Sequence, residues 1–327
     1  MNKNGVKENI ISILELNKGS FISGEKLAYN LNVSRSAVWK AVKSLKNEGY
    51  KINSIQNKGY SLSEDTDILS SKIIKDNMPK YKSKFNFFIY KTLESTNITA
   101  REMAINGAES NTVIIAEEQT KGYGRGGKSF FSPYGTGIYM SIILSLKKER
   151  EIFESSFITT AAAMAVSKSI EETTNKNAQI KWINDIFIGK KKVCGILTEG
   201  AFSFEDGKLD YAVIGIGINV NFPKKGFPEE LSNTADSINN NKGKNAARNI
   251  LIARILENLY EYYFNDVNFY EEYKKHSLLI GKKVSVNIYG KEHTVKVLDI
   301  DKTFALIIEF QNGKTDRLIS GTVNYNK

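Results

Sequence analysis

The chain is 327 residues long with a formal net charge of +10, one cysteine and two histidines. That length leaves room for two or three domains, while the single Cys194 excludes an intrachain disulfide or a multi-cysteine zinc site, and His276 and His293 are too few for a histidine-based metal cluster. No N-terminal apolar run is long enough for a signal peptide and none approaches a membrane span, so a cytoplasmic protein with no membrane partner is expected.

The positive charge is concentrated at one end. Residues 1–63 hold ten basic and four acidic side chains, an excess of six of the chain's ten, which is the bias of a nucleic-acid-binding module. Here Ile10, Ile11, Ile13, Leu14 and Leu16 recur at helical spacing until Gly19, and residues 23–31 read as a short second helix. Ser34 stands where it can cap a third helix over 35–46, which Gly49 ends. This is a helix-turn-helix rhythm with the third helix as the reader. Residues 50–55 and 59–62 then flank Gln56, Asn57 and Lys58 as a two-stranded wing. A three-helix protein-contact module is the alternative, and the basic residues clustered on the reading helix favour DNA.

Residues 64–80 read as a connector, acidic at Glu64, Asp65 and Asp67, with a short helix near 68–75 and Pro79 closing it. From Phe85 the pattern is mixed: a strand over 86–91, a helix over 96–105, a strand over 112–117 and another over 138–146. An Ala-rich buried helix over 157–173 follows, then strands over 179–183, 186–189, 192–199 and 211–220, and an amphipathic helix over 247–264. The run Gly215, Gly217 and Asn219 lacks the third glycine and the helix of a dinucleotide fingerprint. From about Lys282 only short strands remain, with a hairpin turn at Gln311, Asn312 and Gly313, which predicts a small β-barrel.

Between the strands over 112–117 and 138–146 lies the densest chemical signal. Gly122, Gly124, Gly126 and Gly127 interleave with Arg125 and Lys128, a loop able to fold backbone N–H groups around an anion. Residues 122–129 also satisfy the pattern G-x-x-x-x-G-K-S/T. A phosphate-binding loop of that kind must open a helix, and Pro133, Gly135 and Gly137 forbid one. Three other segments carry polar chemistry. Lys181, Trp182, Ile183, Asn184 and Asp185 end one strand, Lys192 starts another after a turn at Gly189 and Lys190, and Glu94, Ser95, Thr96 and Asn97 open a helix. A lysine at a strand edge opposite an Asn-Asp pair can fix a cation against a carboxylate and a phosphate. Taken singly, Asn184 and Asp185 also suit a turn, Ser95 and Thr96 an N-cap, and Gly215 and Gly217 a crowded strand.

Together these segments resemble the bifunctional biotin–protein ligases that double as biotin repressors, and the resemblance spans nearly the whole chain. The family's Ser-Thr-Asn stands at Ser95, Thr96 and Asn97, its G-R-G-R-x-G-R-x-W loop at 122–130, its Ser-Pro-x-Gly at 132–135 and its K-W-P-N-D at 181–185. The later catalytic lysine corresponds to Lys192, and the Gly-x-Gly-x-Asn-Val strand to 215–220. Residues 227–231 and 235–238 match the F-P-x-E-L and A-T-S-L segments. The chain departs at Tyr123, Lys128, Phe130 and Ile183, where the pattern has Arg or Lys, Arg, Trp and Pro. Lysine keeps arginine's charge but loses its bidentate fork, so weaker retention of an adenylate is expected.

The resemblance implies an α+β chain: a winged helix-turn-helix over 1–64, a linker over 65–80, a mixed α/β ligase domain of the biotin/lipoate type over 81–275, and an SH3-like barrel over 276–327. It implies biotin, ATP and magnesium, formation of biotinyl-5′-AMP, and transfer of biotin to a lysine of a biotin carboxyl carrier domain. Lys192, Arg125 and Asp185 would be catalytic, with Asp185 also the magnesium candidate. Ser95, Thr96, Asn97, Gln119, Tyr123, Gly124, Arg125, Lys192 and Gly195 would surround biotin; Gly122, Arg125, Lys128, Phe130, Lys181, Asn184 and Asn219 would surround ATP. A ligand-promoted homodimer would bind operator DNA through Arg35, Ser36, Lys40, Lys43 and Lys58, with the adenylate as corepressor. A lipoate–protein ligase and a biotin-sensing regulator that no longer ligates are the alternative readings, and Arg317 is a further candidate on the C-terminal domain.

Overall fold

A computed structural model of the chain describes residues 3–64, 66–145, 154–202, 209–240, 247–288 and 290–325. Asp65 of the connector and residue 146, the expected end of a strand, lie outside the described residues. Two units are distinguished, Met1–Lys82 with Ala247–Ala253, and Ser83–Ala246 with Arg254–Lys327.

The first unit begins with helices α1 (Lys3–Leu16), α2 (Gly24–Leu31) and α3 (Arg35–Asn47). Capping sets their starts: Ser23 Oγ accepts from the Lys26 amide at 3.1 Å and Ser34 Oγ from the Ala37 amide at 3.2 Å. Ile10, Leu14, Leu27, Val38, Leu45 and Leu62 close the core. Strands β1 (Ile52–Ile55) and β2 (Gly59–Leu62) pair antiparallel as the expected hairpin. Only glycine fits at 59, where φ is +105° and a Cβ would stand 2.1 Å from the Ile22 carbonyl oxygen. Helix α4 (Ser71–Asp76) starts later than the pattern suggested, because Ser70 Oγ accepts from the Ile73 amide at 3.4 Å and so marks its N-cap. The connector before it is tied down. Asp67 Oδ2 accepts from Nε of the buried Arg248 at 2.9 Å, and Asn249 bonds the Ser70 amide and the Ile68 carbonyl.

The second unit is built on seven strands: β3 (Asn86–Leu93), β4 (Thr112–Gln119), β5 (Gly137–Ser145), β6 (Ala178–Lys181), β7 (Asp185–Ile188), β8 (Lys191–Phe202) and β9 (Leu209–Asn219). Their order is β3-β4-β5-β9-β8-β7-β6, with β3 and β4 parallel and every other pair antiparallel. Continuous apolar runs in β4 and β5 match their burial at the middle of the sheet. Helix α5 (Thr96–Ile105) packs Ala100 against Ile114, Ile143 and Val213. Helix α6 (Glu154–Thr174) buries Ala161 to Val166 and ties to β8 through Thr159 and Thr198, whose hydroxyls are 2.8 Å apart. The strand expected to reach Ile183 stops at Lys181, because Lys181 pairs directly with Asp185 and residues 182–184 make the turn. The Trp182–Ile183 peptide is cis.

Helices α7 (Glu229–Ser232), α8 (Arg248–Tyr263) and α9 (Tyr270–Lys275) precede the last strands. The pattern missed α7 and α9, which are four and six residues long, too short to show a periodicity. Strands β10 (Lys283–Ile288), β11 (Lys291–Ile300), β12 (Leu306–Phe310), β13 (Thr315–Leu318) and β14 (Val323–Asn324) form a five-stranded antiparallel sheet in the order β13-β12-β11-β10-β14. Among the described residues no pairing of β13 with β14 closes it into the expected barrel, and β14 contributes only two residues.

Candidate functional site

The glycine-rich loop leaves β4 and returns to β5 as a pinched hairpin, and no α-helix follows it. Gly124 N donates to the Lys128 carbonyl and Phe130 N to the Gly122 carbonyl, both at 2.8 Å. At its tip Arg125–Gly127 make one 3₁₀ turn, with Gly126 at φ +69° and Gly127 at φ +72°, backbone angles that favour glycine. The P-loop pattern is therefore a coincidence of spacing. Gly122 is the close-approach position: a Cβ there would lie 2.8 Å from Gln119 Nε2, the Phe130 carbonyl and Ser132 Oγ.

This loop forms one wall of a cavity of about 710 Å³, within the usual size of a small-molecule site. Ser95, Thr96, Asn97, Gln119, Tyr123, Gly124, Arg125, Lys128, Phe130, Lys181, Asn184, Asp185, Lys192, Gly195 and Asn219 all line it. Gly122 does not. Among the described residues five cations border the space, Arg125, Lys128, Lys181, Lys190 and Lys192, against one carboxylate, Asp185. Such an imbalance suits a polyanion.

At the other side polar groups form a relay. The Thr96 amide and hydroxyl both donate to Gln119 Oε1, at 2.8 and 3.1 Å, and Gln119 Nε2 donates to Ser132 Oγ at 3.0 Å. Ser141 Oγ lies 2.8 Å from Thr96 Oγ1 and 2.6 Å from Asn97 Oδ1. Ser95 occupies the N-cap position of α5, as its place in the sequence suited, yet makes no side-chain capping bond and lines the cavity. Asn97 Nδ2 is spent on Glu199 Oε2 at 2.7 Å, and that same oxygen accepts from Tyr123 OH at 2.9 Å. Burial and the Glu199 carboxylate hold the Tyr123 phenol above its ordinary pKa, keeping the proton it donates. Met140, Ile196, Leu197 and Ile216 supply apolar wall.

Lys192 is clamped by its backbone, its N–H on the Thr234 carbonyl and its carbonyl on the Asp236 amide. Its ammonium meets Asp185 Oδ1 at 2.6 Å. Lys181 stands nearby, 5.9 Å from the Phe187 ring centre, and burial pushes its ammonium below the ordinary value, with Asp185 opposing the shift. Asn184 serves the turn, exchanging bonds with Ile196, and Asn219 Nδ2 donates to the Asp236 carbonyl at 3.2 Å. Phe130 packs so close on β9 that a Cβ at Gly217 would stand 2.6 Å from its ring. Arg125 Nη1 donates to the Gly321 carbonyl at 3.0 Å, and Gly321, Thr322, Val323 and Tyr325 also border the cavity. Arg317 is engaged elsewhere, with Asp301 and Thr303. Cys194 is buried, and burial pushes its thiol up, which makes it a poor nucleophile.

In the first unit Arg35, Ser36, Lys40 and Lys43 are exposed along α3, and Lys58 is exposed at the hairpin turn. Lys43 Nζ lies 5.1 Å from the ring centre of Trp39, itself 54% exposed, and Lys46 Nζ bonds Ser54 Oγ of β1 at 2.8 Å. Among the described residues no three His, Cys, Asp or Glu side chains cluster as a metal site, and no helix is long and apolar enough to cross a membrane.

Two family models match, the Biotin/lipoate A/B protein ligase family over residues 89–219 and an HTH domain over 6–61. The Bifunctional ligase/repressor BirA of Bacillus subtilis is 33% identical over 94% of this chain and 95% of its own length. The chain belongs to the bifunctional ligase/repressor family. The Escherichia coli member is 27% identical over 99% of this chain and 98% of its own. Among solved structures, the biotin protein ligase from Aquifex aeolicus in complex with biotin and ATP superposes with a TM-score of 0.62 at 27% identity, covering 74% of this chain and 99% of that one. Most of the sequence motifs that marked the family thus converge on one cavity; the residues they missed are Glu199 and Ser141, which hydrogen-bond its lining residues Asn97 and Tyr123, and Gly321, Thr322, Val323 and Tyr325, which border it.

Proposed function

We propose that this family member joins biotin to ATP, passes the biotinyl group to a lysine of a biotin carboxyl carrier domain, and represses transcription when its adenylate is not consumed. The observation that carries the ligase reading is the five-to-one excess of cations over carboxylates beside a polar relay with apolar walls. Two anions must meet for this chemistry, and their repulsion has to be offset. A biotin carboxylate oxygen attacks the α-phosphorus in line, the bond to the β-phosphate breaks, and pyrophosphate leaves. Lys192, held by Asp185, and Arg125 stabilise the charge that develops. Arg125 has five N–H donors, so the bond to Gly321 leaves the rest for phosphate.

Thr96, Gln119, Ser95 and the Tyr123 N–H suit the ureido ring and carboxylate of biotin, with Asn97, Gly124 and Gly195 shaping the wall. Lys128, Phe130, Lys181, Asn184 and Asn219 suit the nucleotide, and Gly122 lets the two limbs of the loop approach each other beside Gln119 and Ser132. Asp185, a carboxylate of the cavity lining, would hold a magnesium ion brought in by the triphosphate, which would offset the phosphate charge. The mixed anhydride is destroyed by water, so a loop that closes over it protects it. The carrier amine then attacks the acyl carbon and AMP departs.

The fold supports the second activity through an exposed α3 carrying Arg35, Ser36, Lys40 and Lys43 and a hairpin tipped by Lys58. In this reading residues 1–64 bind operator DNA, 65–80 connect, 81–275 ligate, and 276–327 form an SH3-like domain bordering the nucleotide. A ligand-promoted homodimer acts in the cytoplasm on a two-part operator. Pyrophosphate release tests the ligase: release with ATP, magnesium and biotin, but not with lipoate, supports it, and release with lipoate alone overturns it.

A further inference from the structure

Glu199 lies on β8 with its side chain 24% exposed, and no motif points to it. One of its oxygens, Oε2, accepts from both Tyr123 OH and Asn97 Nδ2; the other, Oε1, faces Arg101 Nη1 at 3.9 Å. These partners come from two elements, Tyr123 from the glycine loop and Asn97 and Arg101 from α5. Asn97 has no slack, since its Oδ1 lies against Ser141 and a Cβ at Gly215 would stand 2.2 Å from it.

The loop's backbone bonds between Gly124 and Lys128 and between Gly122 and Phe130 are internal. They move with the loop and do not hold it shut. The contacts that tie its limbs to the body include Phe130 against Gly217 and Tyr139, Arg125 on Gly321 and Tyr123 on Glu199. The last of these closes the side next to Thr96 and Gln119. It also joins the loop to the Asn97, Ser141, Thr96 and Gln119 relay, so one carboxylate bears on both loop position and relay geometry.

We propose that Glu199 is a positioning residue that latches the glycine-rich loop over the acyl end of the cavity through Tyr123 while fixing the Asn97 amide. The proposal rests on the ligase reading for its ligand, and on the hydrogen bonds for its mechanics. Opening the loop breaks a hydrogen bond to a charged acceptor, which is worth about a tenfold change in an equilibrium. The latch therefore slows escape of the acyl-adenylate rather than its formation.

The test compares the full-length protein with Tyr123→Phe, Glu199→Gln and the double variant. Two quantities are read: the rate at which biotinyl-AMP leaves, and the rate of trypsin cleavage after Arg125 or Lys128 without ligand. Tyr123→Phe should speed both about tenfold, and should add little in the Glu199→Gln background. Tyr123→Arg, which restores a donor to the carboxylate, should keep release slow only when Glu199 is present. Equal effects of Tyr123→Phe in both backgrounds, or cleavage at the wild-type rate in every variant, would overturn the latch. A wild-type protein that forms no adenylate would remove the ligand reading instead, and the cleavage rates would still decide the mechanical claim.

Discussion

Gly215→Ala is the sharpest single test of how the cavity wall is built. The added Cβ would stand 2.2 Å from Asn97 Oδ1 and 2.8 Å from both Cγ and Nδ2. The amide would have to retreat by about 1 Å to reach ordinary contact, and it is already held by Glu199 at 2.7 Å and Ser141 at 2.6 Å. Overpacking of a tight interior costs about 1–3 kcal/mol, and a hydrogen bond to a charged group is worth about 1.5–3 kcal/mol. A loss of about 3 kcal/mol is therefore expected, with a raised KM for biotin. Urea unfolding followed by Trp182, buried in the second unit, reads it in a Trp39→Phe background, since these are the chain's two tryptophans. Asn97→Ala removes the obstacle, so Gly215→Ala should add little to that variant. A change below about 0.5 kcal/mol, or an equal cost with and without the Asn97 side chain, would refute the reasoning.

Lys192→Ala removes a preorganised cation and should lower the adenylation rate about 100- to 1,000-fold, measured as pyrophosphate release. A loss under about threefold would remove Lys192 from the mechanism. Lys58→Ala should weaken DNA binding and reduce the slope of log K against log salt by about one unit, read from titrations at several salt concentrations. Burial raises the Asp301 carboxyl, but hydrogen bonds from Thr303, Arg317 and the Ala305 amide outweigh it and leave the group below its ordinary 3.8. A depressed carboxylate contributes stability above its unfolded pKa and loses it as pH falls through the folded one. Asp301→Asn should accordingly flatten the fall in stability below about pH 4, measured by urea unfolding across pH.

Local chemistry made much of this molecule legible. Ser23 and Ser34 cap where helix-start rules place them, Gln311 to Gly313 turn the β12–β13 hairpin, and Pro133 with Gly135 and Gly137 forbade a helix after the loop. The site was legible where short motifs carry side chains directly into the cavity, as at Lys181, Asp185 and Lys192. It was not legible where tertiary pairing decides the partner. Glu199 read as the last residue of a strand, yet it meets Asn97 across 102 positions of sequence. Arg125 finds a backbone carbonyl at Gly321, and a carbonyl leaves no trace in residue identity. Asn97 and Asn184 line the cavity as expected, but packing commits their amides to Glu199 and Ile196.

The most direct test of the account is mass spectrometry of the purified protein with ATP, magnesium and biotin or lipoate, with and without an added biotin-carrier domain. Retained biotinyl-AMP and a biotinylated carrier, with nothing from lipoate, is the predicted result. Retained adenylate that never reaches the carrier, or no adenylate from biotin, would contradict it.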